Sequence, residues 1–290
     1  MTETRKAMLN IILSMVIFGT IGIFVRYIPL SSPVIAWVRG VVGVLFLLTV
    51  SAFRKKPISF EAVKKNAVLL GISGVALGAN WILLFEAYRY TTVATATLCY
   101  YLAPIFVVLA SLVVLREKLT AKKGICAICA LAGMVFVSGV VESGIPALSE
   151  LKGVLLGVAA AGLYATVVLL NKKITDISAN DRTIVQLGIT AVVLLPYILL
   201  TENLSAILLE TEEILLLIVV GVIHTGVAYA LYFHSIGSLK VQTAAMFSYI
   251  DPVVAIILSG LFLSEPLGVY GVIGAVMILG SAWVSERPKK

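Results

Sequence analysis

Charged side chains are scarce in this sequence. Only 13% of its 290 residues are Asp, Glu, Lys or Arg, whereas 60% are hydrophobic. One soluble core could not hide that much apolar surface, and the apolar runs reach about 20 residues, the thickness of a bilayer core rather than the length of a buried strand. The composition therefore excludes an ordinary soluble domain and predicts an all-α integral membrane protein.

Residues that build metal, redox and nucleotide sites are also few. The chain has three cysteines and two histidines. Cys126 and Cys129 form a C-x-x-C pair inside an apolar run with no histidine nearby, which favours packing as small hydrophobic residues. No glycine-rich run lies between a strand and a helix, so the glycines do not predict a phosphate-binding loop. We therefore expect no metal, no cofactor and no direct use of ATP.

Ten apolar runs predict ten transmembrane helices. The first run is not followed by a small-residue cleavage site, so we interpret it as a retained span. The connections are short and leave no room for a folded soluble domain. The predicted spans are residues 7–27, 33–53, 66–88, 92–115, 121–141, 152–171, 183–200, 214–236, 240–263 and 267–284.

Basic residues are unevenly distributed over the connections between these spans. If the N-terminus is cytoplasmic, 18 of the 22 lysines and arginines fall in inner segments, and Arg39 lies within the second span. This bias predicts a multi-pass protein of the cell membrane with both termini in the cytoplasm. The formal charge of +7 then reflects attraction to the anionic cytoplasmic leaflet of the lipid bilayer, and no nucleic-acid partner is needed.

Two proline motifs interrupt long apolar runs. Pro104 follows Tyr101 by three residues, and Pro252 follows Tyr249 by three. A proline removes one backbone donor, which is tolerated in lipid only where neighbouring helices or a water-filled cavity satisfy the freed carbonyl. Asp251 adds an ionisable side chain at the same depth. This combination predicts the substrate region of a transporter.

The two halves of the chain repeat each other. Pro104 and Gly78 match Pro252 and Gly226 at one offset, 252 − 104 = 148. With five spans in each half, an odd number, the second half must enter the membrane upside down relative to the first. The sequence thus predicts two five-helix inverted repeats, residues 1–145 and 146–290, with the substrate bound near the midplane between them.

At these motifs the chain resembles the EamA-type members of the drug/metabolite transporter superfamily. Each half has a proline-centred span, an acidic elbow and a glycine-rich last span. The resemblance implies a basket of helices in which the third, fourth, eighth and ninth spans line a central cavity. It also implies export or exchange of amino acids or other small metabolites. The elbows are Arg116–Thr120 and Ser264–Gly268.

Asp251 and Arg39 are the charged candidates for a transport site. An unpaired carboxylate at the bilayer centre costs at least about 2.5 kcal/mol, so Asp251 should be paired, protonated or facing water. It is either a carrier of coupled protons or a structural partner. Arg39 needs an acceptor for the same reason, and either Asp251 or a substrate carboxylate could serve, the latter in bidentate fashion.

Several polar and aromatic residues complete the set of candidates. His224, at the centre of the eighth span, either titrates during transport or donates one hydrogen bond between helices. Asn80 either lines a cavity or bonds a neighbouring helix, and Trp81 is one of several aromatic residues that could form a pocket wall. The full set of predicted transport residues is Arg39, Asn80, Trp81, Tyr101, Pro104, His224, Tyr249, Asp251 and Pro252.

The leading interpretation is a secondary or facilitative transporter of a small-molecule substrate, an exporter working by alternating access, with proton coupling left open. A multidrug exporter of the same fold is the alternative. An integral-membrane enzyme is disfavoured because the sequence offers no cluster of acid, base or metal-binding residues. A channel is disfavoured because no repeated selectivity filter is present. The sequence does not indicate the oligomeric state.

Overall fold

The structure is a computed structural model that describes residues 3–91, 96, 99–137, 141, 150–203, 209–262 and 268–286. Every regular element in these residues is helical. A π-helical segment, Val222–Val227, joins the helix that ends at Gly221 to the helix that begins at Ala228. In chain order the helices are α1 Glu3–Arg26, α2 Ser32–Phe53, α3 Phe60–Lys65, α4 Ala67–Tyr90, α5 Ala103–Val114, α6 Ala121–Val137, α7 Leu151–Lys173, α8 Ala179–Thr201, α9 Thr211–Gly221, α10 Ala228–Ser238, α11 Val241–Phe247, α12 Ile250–Phe262 and α13 Val269–Glu286.

Six of the ten predicted spans coincide with helices long and apolar enough to cross a bilayer: α1, α2, α4, α7, α8 and the continuous rod Thr211–Ser238. The other four predicted spans correspond to α5, to α6, to α11 with α12, and to α13, which are shorter or interrupted. Large apolar side chains point outward from the bundle, among them Leu200 at 86% exposure and Val113 at 81%. Such surfaces suit lipid rather than water, so this is an all-helical, multi-pass membrane protein.

Short polar residues begin several of the helices. The Ser178 hydroxyl accepts a hydrogen bond of 3.0 Å from the backbone N–H of Asp181 at the start of α8. Glu210 and Glu213 form a reciprocal capping box at the start of α9. Pro33 occupies the first turn of α2, where its missing N–H has no helical partner to lose. Ser178 and Glu210 thus satisfy free backbone donors at the starts of α8 and α9, and Pro33 removes one at the start of α2.

The long helices pack across the chain midpoint. Helix α4 packs on α7 and α8, and α1 packs on α10 and α12. Helix α2 packs on α8 and on the π-helical segment, α5 packs on α7 and α11, and α6 packs on α13. The first half of the chain therefore makes its main helix contacts with the second half, and the interior of the bundle lies between them.

Glycines allow close approach at two of these helix contacts. A Cβ placed on Gly74 would lie 2.7 Å from Ile189 Cβ, and one on Gly78 would lie 2.9 Å from Val193 Cβ, so α4 can approach α8 only because both residues are glycine. Between α2 and the rod Thr211–Ser238, a Cβ on Gly221 would clash with Val42. A Cβ on Gly226 would lie 2.8 Å from Phe46 Cδ1.

The two pairs of glycines differ by one residue in the spacing between their members. Gly74 and Gly78 are four residues apart, whereas Gly221 and Gly226 are five apart. The π-helical segment Val222–Val227 lies between the second pair. Because a π-helical turn accommodates one residue more than an α-helical turn, it lets both glycines face α2 despite their wider spacing.

The helices break where the proline motifs predict. Residues 101–102 and 248–249 form turns, and the chain then begins α5 and α12. The turns are closed by tighter hydrogen bonds, from Leu102 N to Cys99 O at 3.2 Å and from Tyr249 N to Met246 O at 3.4 Å. Pro104 and Pro252 thus lie in the first turn of a half-helix, where the absence of an N–H costs little.

Two acidic residues near helix ends make defined contacts. Glu86 and Arg89, three residues apart, form an ion pair at 3.0 Å near the end of α4. Glu117, in the first acidic elbow, precedes α6, and its Oε1 accepts a hydrogen bond of 3.1 Å from the backbone N–H of Val241, in the other half of the chain. Glu265, in the second acidic elbow, lies outside the described residues.

Arg182 was counted with the cytoplasmic basic residues, but its side chain is buried at 4% exposure. Its guanidinium donates to the carbonyl of Asn171 at 3.0 Å and to the carbonyl of Phe233. Lys172 similarly donates to Leu239 O at 2.6 Å. Arg182 therefore binds one carbonyl at the end of α7 and one within α10, while Lys172 binds a carbonyl just beyond the end of α10. These are structural roles that loop counting cannot reveal.

Candidate functional site

The two proline motifs meet inside the bundle. The Tyr249 hydroxyl donates a hydrogen bond of 3.3 Å to the carbonyl of Tyr101. The Tyr101 hydroxyl in turn donates to Asp251 Oδ2, also at 3.3 Å. Tyr249 is fully buried. Tyr101 and Tyr249, which occupy matching places in the two halves, are thus joined by a hydrogen bond. Tyr101 also connects this pair to Asp251.

Asp251 lies in the first turn of α12. The positive end of the half-helix dipole favours a carboxylate at this place, and Tyr101 supplies a donor. Within the part of the chain that the structure describes, no basic nitrogen lies within 4.0 Å of Asp251, so it does not form an ion pair with Arg39. A Cβ on Gly19 would lie 2.7 Å from the carbonyl of Asp251, so α1 packs directly on this turn.

Arg39 lies over an aromatic ring instead. Its guanidinium carbon is 4.6 Å from the ring centre of Trp81, a distance at which the cation and the ring attract one another. The Trp81 and Tyr229 rings lie 6.3 Å apart with an interplanar angle of 58°. Trp81 and Tyr229 occupy matched places in the two repeats, since 229 − 81 = 148. Arg39 therefore adjoins a second contact between repeat-related residues.

Asn80 faces α7 rather than Arg39. Its Nδ2 donates a hydrogen bond of 2.6 Å to the carbonyl of Ala160, which is the interhelical role that the sequence left open. Its Oδ1 is buried and accepts no hydrogen bond from any described residue. A buried amide oxygen without a donor is unusual, so Asn80 retains one acceptor for another group.

His224 lies within the π-helical segment and is 2% exposed. Its Nε2 is 2.8 Å from the Thr20 hydroxyl oxygen, and that hydroxyl donates to the carbonyl of Ile17 at 2.7 Å. Because the Thr20 proton is used on Ile17, Nε2 must be the donor in this bond. His224 Nδ1 is buried and makes no hydrogen bond with any described residue.

A cluster of four tyrosines connects these groups, and we call it the tyrosine cluster: Tyr100, Tyr164, Tyr229 and Tyr232. The Tyr164 hydroxyl donates to the Tyr232 hydroxyl at 2.7 Å. The Tyr100 ring lies 5.8 Å from that of Tyr164 and 6.1 Å from that of Tyr101. At one end of the tyrosine cluster, Tyr100 packs against Tyr101 of the first proline motif. At the other end, Tyr229 packs against Trp81, the ring that lies beside Arg39.

Sequence reasoning missed Tyr164 and Thr20. Tyr164 is the only aromatic residue in the predicted span 152–171, and that isolation was the available signal. Thr20 gave no signal, because only the three-dimensional packing of α1 against the π-helical segment makes it the partner of His224. Phe18, also on α1, packs edge-on against Tyr229 with ring centres 5.1 Å apart.

Two clefts on the described surface lie away from this cluster. A cleft of about 380 Å³ lies between the end of α2 and the start of α8, with Arg54, Lys56 and Asn180 in its wall. A second, of about 600 Å³, is an apolar recess on α4 and α7 around Gly71 and Leu163. Neither cleft is lined by a predicted transport residue.

The structure thus gathers the nine predicted residues into two neighbouring groups. Tyr101, Tyr249 and Asp251 join the turns before Pro104 and Pro252, while Arg39, Trp81, Asn80 and His224 lie on α2, on α4 and in the π-helical segment. The first group supplies a carboxylate that can accept a proton or a cation. The second supplies a cation, an amide oxygen and an imidazole nitrogen. Aromatic rings fill the space between the groups.

Comparison with known proteins identifies relatives over nearly the whole chain. The sequence profile of the EamA-like transporter family matches residues 5–139 and again residues 151–286. A Bacillus subtilis (strain 168) protein named uncharacterized transporter YxxF is 31% identical over 282 residues, covering 95% of this chain and 88% of its own. An Archaeoglobus fulgidus protein, named only as an uncharacterized transporter, is 27% identical over 282 residues, covering 96% of this chain and 95% of its own.

One solved crystal structure has a similar fold. It superposes with a TM-score of 0.84, covering 97% of this chain and 96% of its own length, at 19% sequence identity. At that identity the likeness concerns the arrangement of helices alone. Together with the two profile matches, it extends the similarity from the motifs to the whole bundle.

Proposed function

This chain belongs to the EamA-like transporter family, and we propose that it is a secondary or facilitative transporter that exports amino acids or similar small metabolites by alternating access. The observation that carries the proposal is the meeting of the two interrupted helices at Tyr101 and Tyr249. Interrupted helices at the interface of two repeats are where many secondary transporters bind substrate, because the broken backbone offers polar groups inside the membrane.

We infer ten spans arranged as two inverted five-helix repeats. Exchanging the halves pairs α1 with α7, α2 with α8, α4 with the rod Thr211–Ser238, α5 with α12, and α6 with α13. Under this exchange the α4–α7 contact becomes the contact of α10 with α1, and the α1–α12 contact becomes α7–α5, which are both present. The α2–α8 and α6–α13 contacts map onto themselves. Such a pattern is expected of a two-fold pseudosymmetric bundle.

The glycine contacts support the same pairing in finer detail. Gly74 and Ile189 correspond to Gly221 and Val42 at an offset of 147, since 221 − 74 and 189 − 42 both equal 147. Each is a close contact. Four residues further on, Gly78 corresponds to Gly226 at 148, so the additional residue falls within the π-helical segment.

We place both termini in the cytoplasm of a cell-membrane protein, because that orientation puts the basic residues inside. Cysteine labelling in intact cells tests both the orientation and the inversion. In a chain whose three native cysteines are replaced, Glu61→Cys lies between spans two and three and Asn203→Cys between spans seven and eight; both residues are exposed. We expect an impermeant maleimide to label position 203 and not position 61. Labelling of both positions from outside contradicts the ten-span arrangement.

Proton coupling through Asp251 is the energy source we propose. The bilayer interior disfavours a charged carboxylate, while the start of α12 and the Tyr101 hydroxyl favour it. These opposing influences suit a group that takes up a proton in one state of the transporter and releases it in the other. No basic side chain among the described residues neutralises Asp251 permanently.

Export of flat apolar drugs is the second candidate function. The tyrosine cluster, with Trp81 and Phe18, offers several ring faces for such a molecule. Flux measurements with purified protein in lipid vesicles separate these carriers from a channel. A carrier gives flux that saturates with substrate concentration, whereas a channel gives flux that rises linearly. We expect saturation, and linear flux contradicts the proposed mechanism.

A further inference from the structure

Two arginines lie inside the bundle, Arg182 buried and Arg39 half-buried. They differ in the hydrogen-bond acceptors around their guanidinium groups. Arg182, at 4% exposure, donates to the carbonyls of Asn171 and Phe233. Its charge is therefore used on a carbonyl at the end of α7 and on a carbonyl within α10. Arg39 has no such partner: within the described ranges no carboxylate oxygen lies within 4.0 Å of its guanidinium, and its buried Nε makes no hydrogen bond.

The Trp81 ring alone does not compensate the charge of Arg39. The attraction between a cation and one aromatic face is weaker than the cost of placing an arginine within a membrane helix. Arg39 is in α2, whose neighbours in the bundle are α4, α8, α9 and the π-helical segment. A guanidinium held there without a protein acceptor is suited to an acceptor that arrives from outside the chain.

The surroundings of Arg39 define the chemistry of that acceptor. A guanidinium presents a flat pair of donors that matches both oxygens of a carboxylate. The guanidinium faces the Trp81 ring, against which Tyr229 packs, so the described surroundings of Arg39 are aromatic rather than acidic. A single positive charge balances one negative charge, which favours a carboxylate over a doubly charged phosphate.

We propose that Arg39 binds the carboxylate of the transported molecule in bidentate fashion, and that the apolar or aromatic body of this molecule lies against Trp81 and Tyr229. This inference rests on the proposed transport function and narrows its substrate to monocarboxylates, amino acids among them. The role of Arg39 is specificity: it distinguishes an acid from the neutral amide of the same shape. Gln186 occupies the place in the other repeat that matches Arg39, since 186 − 39 = 147. The corresponding position of the other half therefore already holds a glutamine.

Matched acid and amide pairs test the proposal on the purified full-length protein. The probes are benzoate with benzamide, hexanoate with hexanamide, and L-phenylalanine with L-phenylalaninamide. We expect at least one acid to raise the melting temperature while its amide does not, because ligand binding to the folded state stabilises it. Arg39→Gln should weaken binding of that acid by about 10-fold to 100-fold, the range for losing a hydrogen bond to a charged group. Arg39→Lys should restore it only in part.

The stability of the unliganded variants separates a binding role from a structural one. Arg39→Gln should be at least as stable as the unmodified protein, because it removes a charge without a partner. Arg182→Gln is the matched control and should be clearly less stable, because it removes hydrogen bonds to two buried carbonyls. An Arg39→Gln protein as unstable as Arg182→Gln overturns the proposal.

Three further outcomes also overturn it. They are the failure of every acid in the panel to stabilise the protein more than its amide, a stabilisation that survives in Arg39→Gln, and transport of a neutral substrate that Arg39→Gln leaves unchanged. Failure of the transport function gives a different result. In that case an acid binds in an Arg39-dependent manner, yet no flux occurs across vesicles.

Discussion

The hydroxyl of Tyr249 lies 3.3 Å from the carbonyl oxygen of Tyr101, a residue 148 positions earlier in the chain. The same number separates Pro104 from Pro252. The two interrupted helices are therefore in register as well as in contact. Since Tyr101 also donates to Asp251, a hydroxyl from the first half holds the carboxylate of the second half. Movement of one half relative to the other must lengthen or break these bonds.

Asp251→Asn keeps the shape of the side chain and removes its titration. If Asp251 carries the coupled proton, the variant should still bind substrate and exchange it across the membrane, but it should not accumulate substrate under an imposed pH difference. Tyr101→Phe is the control, because it removes the hydrogen bond to Asp251 and leaves the carboxylate able to titrate. It should retain accumulation driven by pH. Uptake against a gradient in well-folded Asp251→Asn would refute the coupling role.

Pro104→Ala and Pro252→Ala should reduce turnover more than they reduce folded yield. Each proline lies in the first turn of a half-helix, so its replacement should cost only about 0.4 to 1 kcal/mol of stability through the unfolded chain. The alanine N–H, however, can extend the helix back through the turn at 101–102 or 248–249 and stiffen it. Transport assays beside yields of monodisperse protein measure both effects. Unchanged turnover in both variants shows that the turns do not need to flex.

Deleting Ile223 should convert the π-helical segment into ordinary α-helix. Gly221 and Gly226 would then be four residues apart, as Gly74 and Gly78 are, so both close contacts with α2 can persist and the protein should fold. The ring of His224 should leave Thr20, and transport should fall. Circular dichroism, gel filtration and vesicle flux measure these outcomes.

Deleting Val75 is the matched control for that experiment. It shortens the spacing between Gly74 and Gly78 from four residues to three, so one of the two contacts with α8 must be lost. We expect this protein not to fold. If both deletions reduce the folded yield equally, the additional residue of the π-helical segment is required for stability. The loss of transport on deleting Ile223 would then not reflect a functional role of this segment.

Glu117→Ala should lower the melting temperature, because it weakens the start of α11, a helix in the other half of the chain. Its carboxylate accepts a hydrogen bond from Val241 N at the start of α11, and loss of such an acceptor costs about 0.5 to 2 kcal/mol. Lys118→Ala, at an exposed neighbouring position, should leave the melting temperature nearly unchanged. Equal melting temperatures for Glu117→Ala and the unmodified protein indicate that water replaces the carboxylate.

Much of the helical arrangement could be predicted from the sequence. Long apolar runs located the helices, and the proline motifs located the two turns at 101–102 and 248–249, because hydropathy and proline chemistry are local properties of the chain. The offset shared by Tyr101 and Tyr249 also indicated that these residues occupy corresponding places. Their contact with Asp251 follows from that correspondence once the two halves are packed together.

The remaining features depend on packing between distant residues. The rod Thr211–Ser238 is apolar over most of its length, so its hydropathy does not distinguish a π-helical turn from an α-helical one. Glu117 binds Val241 across the two halves, and Thr20 binds His224 across 204 residues, which no local pattern indicates. Arg182 was assigned to a cytoplasmic loop because a count of charges does not reveal burial.

Counterflow in lipid vesicles tests the central claim most directly. Vesicles containing the purified protein are loaded with a high concentration of unlabelled ligand, chosen as the compound that raises the melting temperature most, and diluted into a trace of the same labelled compound. Alternating access predicts that label accumulates transiently inside above its outside concentration, that the rate saturates, and that Asp251→Asn still exchanges. Label that only equilibrates, at a rate independent of the unlabelled ligand inside, contradicts a carrier mechanism for this protein.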